Sequence, residues 1–210
     1  MSEPTVPWAL AVDAPVRPMR SDSKRNRDAV VDALLELHRE GNLQPSSNEV
    51  AERAGISPRS LFRYFVDIDD LSRAAITRQL DRVRPLLDLD VASDAPVMDR
   101  ARVLAASRDR VFEAMGPSGT VARIRAPFQP LIAAQLTHAR TFFRQQIERL
   151  FAHELAALTP EQRTPTLAAI DVLCSFESYQ LLRSDHRMSS DAAVDTVAEA
   201  IVRLLPEVAG

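Results

Sequence analysis

An all-α fold is predicted by three features of this chain. Glycine is scarce, five in 210 residues, against a usual share of roughly 7%, and the positive-φ turns of β-hairpins depend on it. Apolar residues recur at spacings of three and four through most of residues 23–205, the period of helices that each bury one face. Helix starts (Ser46-x-x-Glu49, Ser57-Pro58, Asp67) and helix stops (Gly41, Gly55) punctuate that periodicity where capping chemistry requires them. At 46% hydrophobic and 26% charged, the composition is that of a globular chain with a sizeable core.

Residues 1–20 contain Pro4, Pro7, Pro15 and Pro18 without sustained periodicity and read as a flexible tail. Ala29, Val30, Ala33, Leu34 and Leu37 then mark one helical face that Gly41 ends. A capping box, Ser46 with Glu49, opens a short helix that stops before Gly55. Ser57 caps the next helix, and Pro58 takes its first position, where a missing N–H costs nothing. Asp67 and Asp70 cap a longer helix through Leu71, Ile76 and Leu80 that ends or bends near Pro85. Beyond it, helices are expected at about 97–115, 128–158, 160–187 and 190–205, with a short piece near 119–125. The breakers are Pro96, Gly116-Pro117, Pro127, Pro130, Thr159-Pro160 and Pro165.

Residues 46–65 carry the informative arrangement. Two short helices share a tight turn at Gly55, with small Ala51 at their crossing, and Val50, Ala54, Ile56 and Leu61 are spaced to face one small core. This is the arithmetic of a helix-turn-helix, whose second helix enters the DNA major groove. Arg59, Ser60, Phe62, Arg63 and Tyr64 fall on the face left outside that core. The whole chain carries a formal net charge of −3, so any polyanion site must be local. Residues 17–65 hold nine basic against seven acidic residues, a local net of +2, and phosphate binding needs such a patch.

The order Ala33-Leu34-Leu35-Glu36-Leu37-x-x-x-Gly41, Val50-Ala51-Glu52-Arg53-Ala54-Gly55-Ile56-Ser57, Leu61-Phe62-Arg63-Tyr64-Phe65 and Leu71 resembles the TetR family of transcriptional regulators over about residues 28–76. The resemblance implies an N-terminal three-helix helix-turn-helix domain at 21–66 and a larger helical ligand-binding and dimerisation domain at 67–207. It implies phosphate contacts from Ser46 and Ser47 and a base contact from Asn48, suited to adenine. It places Pro58, Arg59 and Ser60 at the start of the recognition helix. Phe62 stands where the family usually has tyrosine, and Tyr64 where it often has histidine. Ile68 replaces a usual phosphate-binding lysine, and Asn42 a usual aromatic. Weakened backbone anchoring is therefore expected, offset by a basic arm of Arg17, Arg20, Lys24, Arg25 and Arg27. The implied partners are double-stranded DNA with a palindromic operator, a small-molecule effector and a second copy of the chain. The rival reading is a helical ligand-binding or interaction protein with a weakened DNA-binding face, motivated by Ile68 and by Asp67, Asp69 and Asp70.

In the second half, Phe112, Met115, Phe128, Phe142 and Phe176 with Gln135 and His138 are expected to line an apolar cavity on the order of several hundred Å³. It would be bounded by the helices at 97–115, 128–158 and 160–187. Residues 167–184 are apolar over more than one face and 192–205 carry a strong stripe, which suits a C₂ four-helix interface with Phe176, Val194, Val197 and Ile201 as its residues. The four histidines have no carboxylate or cysteine at ligand spacing, so neither a metal nor another cofactor is expected. No catalytic set is recognisable. Cys174, the single cysteine, suits a buried apolar role in a reducing cytoplasm, and no membrane segment or signal peptide is expected.

Overall fold

The computed structural model describes residues 21–207, which contain helices and no strand. The expected tail, with Arg17 and Arg20, lies outside these residues. Eleven helices follow in order among them: α1 (Ser21–Arg39), α2 (Ser47–Arg53), α3 (Pro58–Tyr64), α4 (Ile68–Val83), α5 (Val97–Met115), α6 (Pro117–Arg125), α7 (Pro130–Leu150), α8 (Ala152–Ala156), α9 (Pro160–Leu173), α10 (Phe176–Gln180) and α11 (Ser190–Leu204). The chain divides into two compact units. One comprises the chain up to Arg84 together with Met115–Ala133, the other Pro85–Ala114 and everything from Ala134.

In the first unit, α1 packs against α2, α3, α4 and α6. Its core joins Val30, Val31, Leu34 and Leu37 of α1 to Val50, Ala51, Leu61, Phe65 and Leu71. Both glycine stops close in the same way. Gly41 (φ 89°) and Gly55 (φ 68°) take the left-handed conformation that other residues rarely enter. The N–H of each donates to the carbonyl three residues back, and the next N–H to the carbonyl five back: Gly55 to Glu52 and Ile56 to Ala51, Gly41 to His38 and Asn42 to Leu37. These paired bonds satisfy carbonyls that a helix end leaves open and turn the chain sharply enough for α3 to return across α2.

In the second unit, Leu104, Ile147, Phe151, Leu155, Ile170, Ala198 and Ile201 form a core from α5, α7, α8, α9 and α11. Arg100 crosses it with Glu154, both only 5% exposed. Its Nε donates to Ala95 O (2.8 Å), its Nη1 to Leu150 O (2.5 Å) and Glu154 Oε2 (3.1 Å), and its Nη2 to Glu154 Oε1.

Several expected boundaries move. The single helix expected at 128–158 breaks at Phe151 (φ −113°, ψ 29°) between α7 and α8. The helix expected at 160–187 breaks at Cys174 and Ser175, where the Ser175 side chain accepts from the Ser178 N–H and caps α10. Serine is a strong N-cap, and an apolar run hid this one. Past α10 the chain winds into a π turn over Leu181–Asp185. Pro165 does not break α9 but lies inside it. The expected division at 66/67 also differs, because α4 groups with the helix-turn-helix: Arg78 of α4 reaches Asp28 and Asp32 of α1, each at 2.6 Å.

Candidate nucleic-acid interface and ligand pocket

The two short helices expose most of the side chains that the sequence singled out. Arg59, Phe62 and Arg63 of α3 and Asn48 of α2 are exposed, with Ser47, Ser60 and Tyr64 half-buried. Phe62, an apolar ring, is 50% exposed and so presents a contact surface without hydrogen bonds. Beneath this face Leu61 and Phe65 are buried, which fixes the roll of α3. Ser57 caps α3, and its hydroxyl lies 3.0 Å from that of Ser60, while Pro58 sits exposed in the first turn.

Tyr64 carries a pairing that sequence inspection missed. Its hydroxyl accepts from Arg63 Nη2 (2.9 Å) and from Asn26 Nδ2 (3.0 Å) of α1, and these bonds, with Arg63's the larger effect, pull its pKa below the usual tyrosine value. An oxygen that accepts twice has its own proton left to donate, so the cluster presents a hydroxyl and a guanidinium together. Nothing in the local sequence marks Asn26 as a partner 38 residues away.

Three expected phosphate contributors stand differently. The Ser46 hydroxyl donates to Glu49 Oε2 (2.7 Å) and its N–H donates to the same oxygen (2.8 Å), so the capping box already engages the groups expected to meet phosphate. Those bonds, led by the hydroxyl, hold the Glu49 carboxyl below its ordinary pKa. Asn42, in place of an aromatic, donates to the other Glu49 oxygen at 2.9 Å and braces the start of α2. Arg53, counted in the basic patch, is bound bidentately to Glu40 (2.8 and 2.6 Å) with Glu36 nearby at 3.7 Å. Arg25 is exposed near the start of α1, and the Arg27 guanidinium covers the Phe65 ring at 4.6 Å.

Ile68 opens α4. Its side chain is half-buried and packs on the core of the first unit. Asp67 caps α4 through the Asp70 N–H at 2.7 Å, and Asp70 accepts from Val66 N–H at 3.2 Å. Two of the three acidic residues therefore hold the turn into α4.

The expected cavity residues do not converge. Phe112 meets the rings of Phe143, Phe176 and Tyr179 at centroid distances of 5.9, 5.5 and 5.7 Å, whereas Phe128 is 83% exposed and belongs, with Met115, to the first unit. Phe142 packs on Phe143 at 5.9 Å. His138 Nδ1 bonds the Ala134 carbonyl of its own helix at 2.8 Å, and Gln135 Oε1 is buried without a hydrogen bond. The pocket beside Phe112 has about 20 Å³ and is lined by Arg108, Asp109, Leu173, Cys174, Tyr179, Leu182, Arg183, Val194 and Val197, among others. Burial pushes the Cys174 thiol up to about 11, consistent with the apolar role expected of it.

The expected dimer residues are mostly covered by this chain itself. Phe176 is 3% exposed, Val197 9% and Ile201 0%, while Val194 is half-buried. The uncovered apolar surface lies on the other stripe of the same helices, where Ala168, Ala169, Val172, Leu173, Ala200 and Leu204 line an open trough with Arg203. Val172 there is 64% exposed. Among the described residues no helix is long and apolar enough to cross a membrane, and no group of three or more His, Cys, Asp or Glu could hold a metal ion.

The family model for bacterial regulatory proteins of the tetR family matches residues 30–75. No curated protein matches this chain. Among solved structures, a putative TetR-family transcriptional regulator from Rhodococcus sp. is 22% identical with a TM-score of 0.63, over 86% of this chain and 98% of that one. The multidrug binding protein EbrR complexed with imidazole is 20% identical with a TM-score of 0.53, over 88% and 97%. NalD from Pseudomonas aeruginosa, the secondary repressor of the MexAB-OprM multidrug efflux pump, is 16% identical with a TM-score of 0.53, over 88% and 97%. At these identities the likeness is one of fold.

Proposed function

We propose, from the premise that residues 30–75 form a TetR-family domain, that this protein is a ligand-responsive DNA-binding transcriptional repressor and not an enzyme. The observation that carries the reading is the α2–α3 pair. Two capped helices are locked by the Gly55 turn, and Asn48, Arg59, Phe62 and Arg63 stand exposed on them. A guanidinium at the start of a recognition helix suits guanine, and a carboxamide suits adenine. The Arg63–Tyr64–Asn26 cluster and the backbone of α2 suit phosphate, which sets register without reading sequence.

A second copy docks on the open trough of α9 and α11, where Val172 and Leu204 would leave water. A C₂ dimer then presents two α3 helices to half-sites about 34–36 Å apart, and the operator is palindromic because the protein is twofold. The effector is a small, mostly apolar molecule held by the second unit. It releases DNA only by binding more tightly to the state that fits the operator poorly. Work on chromosomal DNA places the protein in the cytoplasm.

Fluorescence anisotropy with the DNA upstream of the protein's own gene tests this reading. Expected is binding to one palindromic site, far tighter than to random sequence and falling steeply with salt. Equal affinity for random DNA at every salt concentration would reject it. Sizing by light scattering should give a dimer for the wild type and monomers for Leu204→Asp.

A further inference from the structure

Among the described residues of the second unit, four charged side chains are less than a tenth exposed: Arg100, Arg108, Asp109 and Glu154. Three of them face an opposite charge, since Arg100 binds Glu154 and Asp109 lies 3.4 Å from Arg183 Nε. Arg108 faces none. It is 3% exposed, its guanidinium carbon lies over the Phe143 ring at 4.1 Å from the centroid, and Nη2 donates to the Phe143 carbonyl at 3.3 Å. Its Nε and Nη1 are buried without a hydrogen-bond partner. Burial lowers its pKa to about 10, which still leaves it charged at neutral pH. Asp171 attracts it only from a distance, because both Nε and Nη2 of Arg144 hold Asp171 Oδ2 at 3.0 Å. The Cys174 thiol beside it is neutral.

We propose that the pocket around Arg108 receives the carboxylate of a small organic acid with an apolar body. This rests on, and deepens, the reading of the second unit as the effector-binding unit. Buried guanidinium donors without partners are rare in folded proteins, and a carboxylate is their natural complement. The Phe143 ring covers the guanidinium, and Arg108 lines the pocket. The local charges fix the class further. Arg183 and the Ser190 hydroxyl engage Asp109, so Arg108 alone is in excess and matches a monoanion. Asp109 on the same wall disfavours a phosphate dianion. Phe112, Leu173, Tyr179, Leu182, Val194 and Val197 supply surface for an apolar body.

The pocket of about 20 Å³ has room for about one water, so an acid enters only if a wall moves. The wall facing α5 is the discontinuous one: α9 ends at Leu173, α10 restarts at Phe176, and the π turn at Leu181–Asp185 follows. Such π segments interrupt the regular helical ladder and occur often at functional sites. Outward movement of this segment would carry acid binding to the helix that flanks the proposed dimer trough.

Thermal unfolding and calorimetry of the full chain test the proposal, with benzoate, phenylacetate and octanoate against their neutral amides. At least one acid should raise the wild-type Tm by roughly 2–5 °C, and its amide should not. Arg108→Met should weaken that acid about 10- to 100-fold, as loss of a charged hydrogen bond implies. An amide that binds as well as its acid, an acid that binds Arg108→Met unchanged, or no acid binding the wild type would each overturn it. Should Arg108→Met fail to fold, the wild-type contrast between acid and amide decides alone. None of these readouts involves DNA, so a protein that binds an acid but no operator would refute the regulator reading and not this one.

Discussion

In the first unit, arginines on the surface of one helix tie down carboxylates on another: Arg53 holds Glu40, and Arg78 holds Asp28 and Asp32, with every side chain about a third or more exposed. In the second unit Arg100 and Glu154 meet with about a twentieth of each exposed. The chemistry is the same and the consequence is not. Exposed pairs gain roughly 0–1 kcal/mol each because water competes for both partners. A buried pair barely repays its desolvation, yet losing one partner strands the other in a poor solvent. The first unit is therefore held by apolar packing and caps, with charges as trim, and Arg59 and Arg63 of α3 stay exposed. The second unit depends on polar groups being matched, which is why the unmatched Arg108 is informative.

The largest effect expected from this contrast is on stability. Arg100→Met should destabilise the protein by about 3–5 kcal/mol in urea unfolding, because Glu154 is left buried and alone. The double variant Arg100→Met/Glu154→Leu should recover most of that loss. Arg78→Met, its counterpart in the first unit, should cost no more than about 1 kcal/mol. Equal losses from the two single variants would erase the distinction between the units.

The next effect is on recognition. Arg59→Ala and Asn48→Ala should each cost about 1–3 kcal/mol on the preferred DNA site while leaving the melting temperature near wild type. Equal weakening on random DNA would show that these side chains touch only the backbone.

A third test concerns the buried histidine of the first unit. His38 is 5% exposed, neither ring nitrogen has a hydrogen bond, and burial together with nearby Arg125 lowers its pKa from 6.5 to about 4. The unfolded chain therefore takes up a proton on this ring at a pH where the folded protein does not. Stability associated with the neutral ring is complete above pH 6.5 and falls as pH drops toward 4. His38→Leu should remove roughly 1–2 kcal/mol of the acid loss between about pH 6.5 and 5. Parallel urea midpoints for wild type and variant across that range would contradict it.

The smallest effect is at Ile68. Because this side chain packs on the core of its unit, Ile68→Lys must bury its stem and extend its ammonium outward. It should steepen the logarithmic salt dependence of DNA binding by roughly one and change stability by under about 1 kcal/mol. An unchanged slope would place the start of α4 away from phosphate.

The sequence by itself determined the all-α class, the caps at Ser46, Ser57 and Asp67, both glycine stops and the buried face of Val50 and Leu61. All of these rest on interactions within about five residues, so the spacing of residue types records them. The exposed face of α3 was legible for the same reason, since fixing which side of a short helix is buried fixes the other. Only the tertiary structure decided the rest. It packed Phe112 against Phe143, Phe176 and Tyr179, buried Val197 and Ile201 of α11 while leaving Val172 of α9 and Leu204 exposed, and joined Asn26 to Tyr64. It also decided Arg108, which a helical count places on the stripe of Ala101, Leu104, Ala105 and Phe112, a position the sequence shows. Whether an arginine there meets a carboxylate, as Arg100 does 54 residues away, or meets none is set by which helices pack against α5. Long-range pairing is a property of that packing, and no local pattern of residues encodes it.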